Sequence, residues 1–160
     1  MKGRPRSIER KVAEILSREF VDHGWSPVER IPVLGRTGPD ITINEAEFVI
    51  DVKSRLEVPK TILVPKGKIL CVFGDLIAFR LENINGLFHK IEMDGWIKSI
   101  HSVVPKVVRD YYDHMNEWTQ QHEPHGITML VLHRSGIHGG RMPVGASSVV
   151  ISYSDYQKFI

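Results

Sequence analysis

Between Ser7 and Asp22 the apolar residues Ile8, Val12, Ile15, Leu16 and Phe20 return at helical intervals, with Ser7 as N-cap and Gly24 as the stop. The pattern then changes to alternation. Asp40 to Ile43 and Phe48 to Lys53 are rich in Ile and Val and alternate in polarity, which predicts two paired strands. Lys66 to Glu82 predicts two more, broken at Gly74-Asp75, and Ile84 to Ile91 a short helix. A long helix follows from Pro105 to about His122, with Val108, Tyr111, Tyr112, Met115 and Trp118 as its apolar stripe. Ile127 to His133 and Ser148 to Tyr153 read as strands on either side of a Gly-rich basic loop, Ser135 to Gly145, and a short helical turn ends the chain. Strands interleaved with helices imply an α/β fold, a central mixed sheet flanked by helices.

The alternation in the first pair of strands also fixes a register. Residues two apart in a strand share a face. With residues 44–47 as the connection, Ile43 lies opposite Phe48, Ile41 opposite Ile50 and Asp40 opposite Asp51. The apolar members, joined by Val52, then fall on one face. The other face carries Asp40, Thr42, Val49, Asp51 and Lys53, with the aspartate Cβ atoms about 5 Å apart. A slip of one residue would scatter the apolar side chains over both faces. Two opposed carboxylates repel, so something must compensate them, and a divalent cation such as Mg²⁺, which favours carboxylate and water oxygens, does so naturally. An ammonium on the same face, Lys53, supplies positive charge toward an attacking water and toward charge developing on phosphorus. These are the requirements of phosphodiester hydrolysis. A solvated strand edge with an incidental Asp51–Lys53 ion pair is the competing account. Glu9 falls within the apolar arc of the first helix near its N-terminal end, which suggests a metal or water ligand; a helix-end acid favoured by the dipole is the alternative.

Composition narrows the picture only modestly. The chain has 160 residues, 42% hydrophobic and 25% charged, and shows no linker or low-complexity tract, so a single domain is expected. Cys71 is the only cysteine, which leaves no disulfide framework or thiolate zinc cluster. No apolar run is long enough for a membrane span and no signal-peptide pattern opens the chain, so a cytoplasmic location without membrane contact is expected. The net charge of +2 is uneven: Lys2, Arg4, Arg6, Arg10 and Lys11 against Glu9 give +4 in the first eleven residues and leave −2 on the rest. This reads as a flexible basic arm suited to phosphate contacts, or simply as a solvated terminus.

With these residues set out, the chain resembles the archaeal-type Holliday junction resolvases, including phage-encoded members, within the PD-(D/E)xK nuclease superfamily. The likeness runs from Lys2 to Arg55: a basic KG start, the Glu9-Arg10 pair early in a helix, the Gly24-Trp25 turn, an arginine at Arg30, and a hydroxyl residue, Thr37, before Asp40. The acidic-x-Lys strand Asp51, Val52, Lys53 then leads to Ser54. The family usually carries Glu where this chain has Asp51, and Ser where it has Thr37. The resemblance implies a restriction-endonuclease-like core with motifs in residues 7–55, an insertion at about 56–105, and a later core strand at Ile127 to His133. It further implies catalytic residues Glu9, Asp40, Asp51 and Lys53, and metal-binding positions Asp40, Asp51, Val52 and Glu9, with Mg²⁺ as cofactor and Mn²⁺ able to replace it. DNA-binding positions would be Lys2, Arg4, Arg6, Arg10, Arg30, Arg36, Thr37, Ser54 and Arg55. The activity it implies is resolution of four-way DNA junctions by a homodimer. Another PD-(D/E)xK endonuclease, of restriction or repair type, and an inactive DNA-binding protein with the same fold are the alternatives.

Other signals carry less. His122, His125, His133 and His138 match no common zinc spacing, and Gly35, Gly38 and Gly139-Gly140 make no nucleotide fingerprint. Arg134 and Arg141 read as exposed loop residues, and Trp96, Tyr111, Tyr112 and Trp118 as core or dimer residues.

Overall fold

The computed structural model describes residues 4–31, 38–43, 48–59, 62–63, 70–88, 97–101, 103–135 and 147–158. Lys2, Arg36, Thr37, Trp96, the 44–47 connection and the Gly-rich loop from 136 to 146 lie outside the described residues.

The chain is an α/β protein built on one mixed sheet. In chain order its strands are β1 (Glu29–Arg30), β2 (Ile41–Thr42), β3 (Phe48–Arg55), β4 (Leu70–Phe73), β5 (Leu76–Arg80), β6 (Ile97–His101), β7 (Ile127–Arg134) and β8 (Ser148–Ser152). Across the sheet they run β1-β2-β3-β7-β8-β5-β4-β6. β3 pairs with β7 in parallel over its whole length, from Phe48 opposite Ile127 to Arg55 opposite Arg134, and β4 pairs with β6 in parallel. The remaining neighbours are antiparallel. Among the described residues the helices are α1 (Arg4–Asp22), α2 (Lys106–His122) and α3 (Tyr153–Gln157), with a 3₁₀ segment at Leu81–Phe88.

Strand alternation divides the core into two layers. On one face Ile41, Ile50, Val52, Met129, Val131 and Val149 pack beneath Val12, Leu16 and Phe20 of α1 and beneath Ile84 and Leu87 of the 3₁₀ segment. On the other, Val49, Leu130, Leu132 and Val150 pack against Val108, Tyr112 and Met115 of α2. Both faces of the inner strands are therefore covered, and β7 is buried at six consecutive positions.

The pairing Ile41↔Ile50 is the register expected from the sequence, and Ile41, Ile43, Phe48, Ile50 and Val52 share the α1 face as expected. The Gly74-Asp75 break, the α2 stripe and the strands β7 and β8 also stand where the pattern places them.

Three expectations need correction. Helix α1 begins at Arg4, so Ser7 lies inside it and is not the N-cap. Pro5 is compatible with this start, since proline is tolerated in a first helical turn, where N–H groups have no intrahelical acceptor. Arg4, Arg6, Arg10 and Lys11 therefore ride on a helix and not on a flexible arm. The short helix after β5 starts at Leu81 and is 3₁₀ in character. Strand β6 was not expected, and it joins β4 and β5 so that the 56–105 segment extends the central sheet. Among the described residues, no helix is long and apolar enough to cross a membrane.

Candidate active site

Asp40 stands immediately before β2, and Asp51 and Lys53 stand on β3. The Asp40 backbone N–H donates to the Ile50 carbonyl at 2.8 Å, while its Oδ2 accepts from the Val52 N–H at 2.8 Å. Strand β2 is only two residues long, so the Asp40 carboxylate provides the acceptor for Val52 that a longer strand would have provided. The N–H and C=O of one strand residue point the same way, so the Val52 carbonyl faces this side as well.

The neighbouring backbone sets where Asp40 sits. Gly38 adopts φ +143°, and a Cβ there would lie 3.5 Å from the Trp118 ring of α2. The space is ordinary contact; the backbone conformation is the constraint, being nearly restricted to glycine. Gly38→Ala should lower stability by roughly 1–3 kcal/mol and weaken the site through Asp40. Thermal denaturation would check the first effect, and an undisturbed melting temperature would refute it.

Asp51 is 4% exposed, although its side chain is ionisable. Its Oδ2 lies 3.4 Å from Lys53 Nζ, yet without hydrogen-bond geometry, so this buried oxygen has no hydrogen-bond partner among the described residues. Burial is the main cause that pushes the Asp51 carboxyl up to about 7. The Asp40 charge raises it further, as does the hydrogen bond that a protonated Asp51 shares with Asp40, while Lys53 pulls it back down. Lys53 keeps 24% of its side chain exposed and places its Nζ 5.6 Å from the centre of the Tyr111 ring on α2. The tyrosine hydroxyl donates to Glu57, just beyond β3.

The structure thus brings Asp40, Asp51 and Lys53 together as the hairpin register requires. Glu9 has a different setting. Helix α1 packs on the sheet face opposite Asp51, and Glu9 Oε1 lies 3.6 Å from Arg30 Nη2. Arg30 belongs to the edge strand β1, and Arg10 is exposed on α1. Arg55 is exposed at the end of β3, where its guanidinium donates to the Ser54 carbonyl at 3.1 Å. Tyr111 is the site neighbour that sequence reasoning missed: it sits on an apolar stripe and looks like core, and only its lack of full burial sets it apart from Tyr112.

Two carboxylates, one with a buried oxygen that faces Lys53 but accepts no hydrogen bond, and a main-chain carbonyl on the same side form an all-oxygen donor set, which fits Mg²⁺ completed by water. Among the described residues no group of three His, Cys, Asp or Glu side chains is placed to hold a metal, so a closed protein cage of the zinc kind does not fit. A separate cavity of about 610 Å³, formed where the Gly74-Asp75 turn, α2 and α3 meet, includes none of the three residues. His133, one of the discounted histidines, is buried beside the Ser147 hydroxyl, 3.1 Å away.

No family profile, curated protein or solved structure matches the chain.

Proposed function

We propose that the protein is a Mg²⁺-dependent endodeoxyribonuclease with a PD-(D/E)xK-type site, and that four-way DNA junctions are its preferred substrate. The observation that carries this reading is the opposition of Asp40 and the buried Asp51 with Lys53 beside them. Nothing in the fold requires two opposed carboxylates, one of them buried with an oxygen that accepts no hydrogen bond, and burying one is costly even beside an ammonium. Function offers the compensation that folding does not.

In this reading Asp40 and Asp51, with the Val52 carbonyl, hold the cation. When bound, the cation supplies Lewis acidity toward the scissile phosphate and acidifies a coordinated water. Lys53 holds the attacking water or a phosphate oxygen and offsets charge that develops on phosphorus. Arg55 stands exposed at the end of β3 and suits backbone contacts, whereas Arg30 lies on the α1 face of the sheet beside Glu9. Strand β7, parallel to β3 over its whole length, is the strand we assign to the later core strand of the resolvase family. Glu9, paired with Arg30, acts in this scheme on the arginine more directly than on a metal.

The test is incubation of the purified protein with labelled four-way junctions and with linear duplex of the same sequence, with and without Mg²⁺. Cleavage of the junction, dependent on Mg²⁺ and poorly competed by duplex, is the expected result, and sedimentation should give twice the 18.3 kDa chain mass. Equal cleavage of both substrates by a monomer would replace junction resolution with a general endonuclease activity. Absence of metal-dependent cleavage on either would refute the proposal.

Because Arg4 and Arg6 lie within α1, deleting the first residues would also shorten a helix. Double substitution of both by Gln is the cleaner probe. If each arginine meets one phosphate, the slope of log affinity against log salt should fall by about 2, with affinity reduced similarly across DNA sequences. An unchanged slope would show that these cations do not touch DNA.

A further inference from the structure

We propose that Tyr111 is a positioning residue of the site: its ring, anchored through its hydroxyl to Glu57, holds the Lys53 ammonium beside Asp51. Lysine ends a four-carbon chain with several rotatable bonds, so an ammonium on a partly open strand face does not hold one place unaided. Here two groups restrict it, the Asp51 carboxylate at 3.4 Å and the Tyr111 ring at 5.6 Å from Nζ to centroid. The second distance is within the range over which a cation is attracted to a ring face.

The ring is itself fixed. Its helix packs on the sheet through the buried Val108, Tyr112 and Met115, and its hydroxyl donates to the Glu57 carboxylate. Glu57 follows directly on the end of β3, so helix, tyrosine, acid and strand form a closed circuit around Lys53. Packing alone would be satisfied by any apolar residue on this stripe. A ring beneath the ammonium and a hydroxyl aimed at an acid are features that packing does not need.

The consequence for turnover rests on the nuclease reading above, whereas the placement of the ammonium does not, so two measurements separate them. The first is a proton–carbon spectrum of protein labelled with ¹³C-lysine, recorded with chelator present. The ring current should move the Lys53 Hε signals upfield of those of an exposed lysine such as Lys106. Tyr111→Phe, which keeps the ring and loses its Glu57 anchor, should keep part of that shift, and Tyr111→Leu should lose it. The second is cleavage kinetics with Mg²⁺. Misplacement of the ammonium in Tyr111→Leu should reduce kcat roughly tenfold to a hundredfold with KM for DNA unchanged, while Tyr111→Phe, with the ring kept and its anchor lost, should fall between that variant and the native protein.

Lys53 signals coincident with those of Lys106 in the native spectrum would overturn the proposal, and that spectrum decides even if the leucine variant fails to fold. Equal loss of turnover in the Phe and Leu variants, or a rise in KM alone, would overturn it as well. A native protein that shows the shift but cleaves no DNA would support the placement and remove the nuclease reading.

Discussion

The Asp51→Asn variant is expected to lose Mg²⁺-dependent cleavage and yet to melt at a higher temperature than the native protein at pH 8 in the presence of a chelator. Both effects come from one carboxylate. In the folded chain burial and the Asp40 charge hold the Asp51 carboxyl at about 7, against 3.8 for an ordinary aspartate. The folded state therefore binds this proton more tightly than the unfolded state. Between those two values stability declines as pH rises, and above about 7 the full cost is present. The shift corresponds to at most about 4 kcal/mol. An amide in place of the buried anion should recover roughly 1–4 kcal/mol, or several degrees in melting temperature for a chain of this size. At pH 4 the gain should have largely disappeared, because Asp51 is then protonated in the folded state and partly protonated in the unfolded one. Mg²⁺ should raise the melting temperature of the native protein by mass action and leave the variant unmoved. Melting curves at pH 4 and pH 8, with chelator and with Mg²⁺, check all of this. A variant less stable than the native protein at pH 8 would show that Asp51 is not a carboxylate held in strain for a ligand.

Replacing Lys53 by Met is expected to reduce kcat on the order of 10²–10³, the typical effect of removing one group that meets developing charge. The stem volume is nearly kept and the ammonium is lost. Without that cation one of the influences that lowers the Asp51 carboxyl disappears, so the decline of stability with pH should extend to higher pH than in the native protein. The pairing of these effects is informative. If kcat holds and only DNA affinity drops, Lys53 is a phosphate contact and takes no part in the chemical step.

The site was legible in the sequence where neighbours along the chain are neighbours in space. Ile41, Ile43, Phe48, Ile50 and Val52 alternate within one hairpin, and that alternation sufficed to oppose Asp40 and Asp51. The Val108, Tyr112 and Met115 stripe likewise announced α2. What remained hidden depends on contacts between distant segments. Tyr111 looks like any other stripe residue until α2 is laid over β3, when its ring meets Lys53. Glu9 and Arg30 both carry the marks of site residues, and only the placement of β1 beside α1 shows that they pair with each other. Strand β6 owes its existence to pairing with β4, and its own residues, Ile97 to His101, lack a clean alternation. The helix start was missed for a local reason: Ser7 is a good cap, but Pro5 two residues earlier is an even better opening.

The parallel pairing of β3 with β7 also bears on how the molecule is made. Every residue of the proposed catalytic trio has left the ribosome by Lys53, yet the strand that covers one edge of β3 is Ile127–Arg134. A nascent chain that has emerged only as far as Arg55 exposes an unpaired, apolar edge at Phe48 to Val52, which invites pairing with another chain. Loop closure across the intervening segment must precede this parallel pairing, which makes it an intrinsically slow step. An N-terminal fragment ending after the acidic-x-Lys strand would then carry the proposed trio and α1 but lack β7 and α2, which cover the edge of β3 and the other face of the sheet. Expressed alone it should aggregate, and adding residues 56–160 in trans, which carry β4 to β8, should be the way to recover a folded sheet.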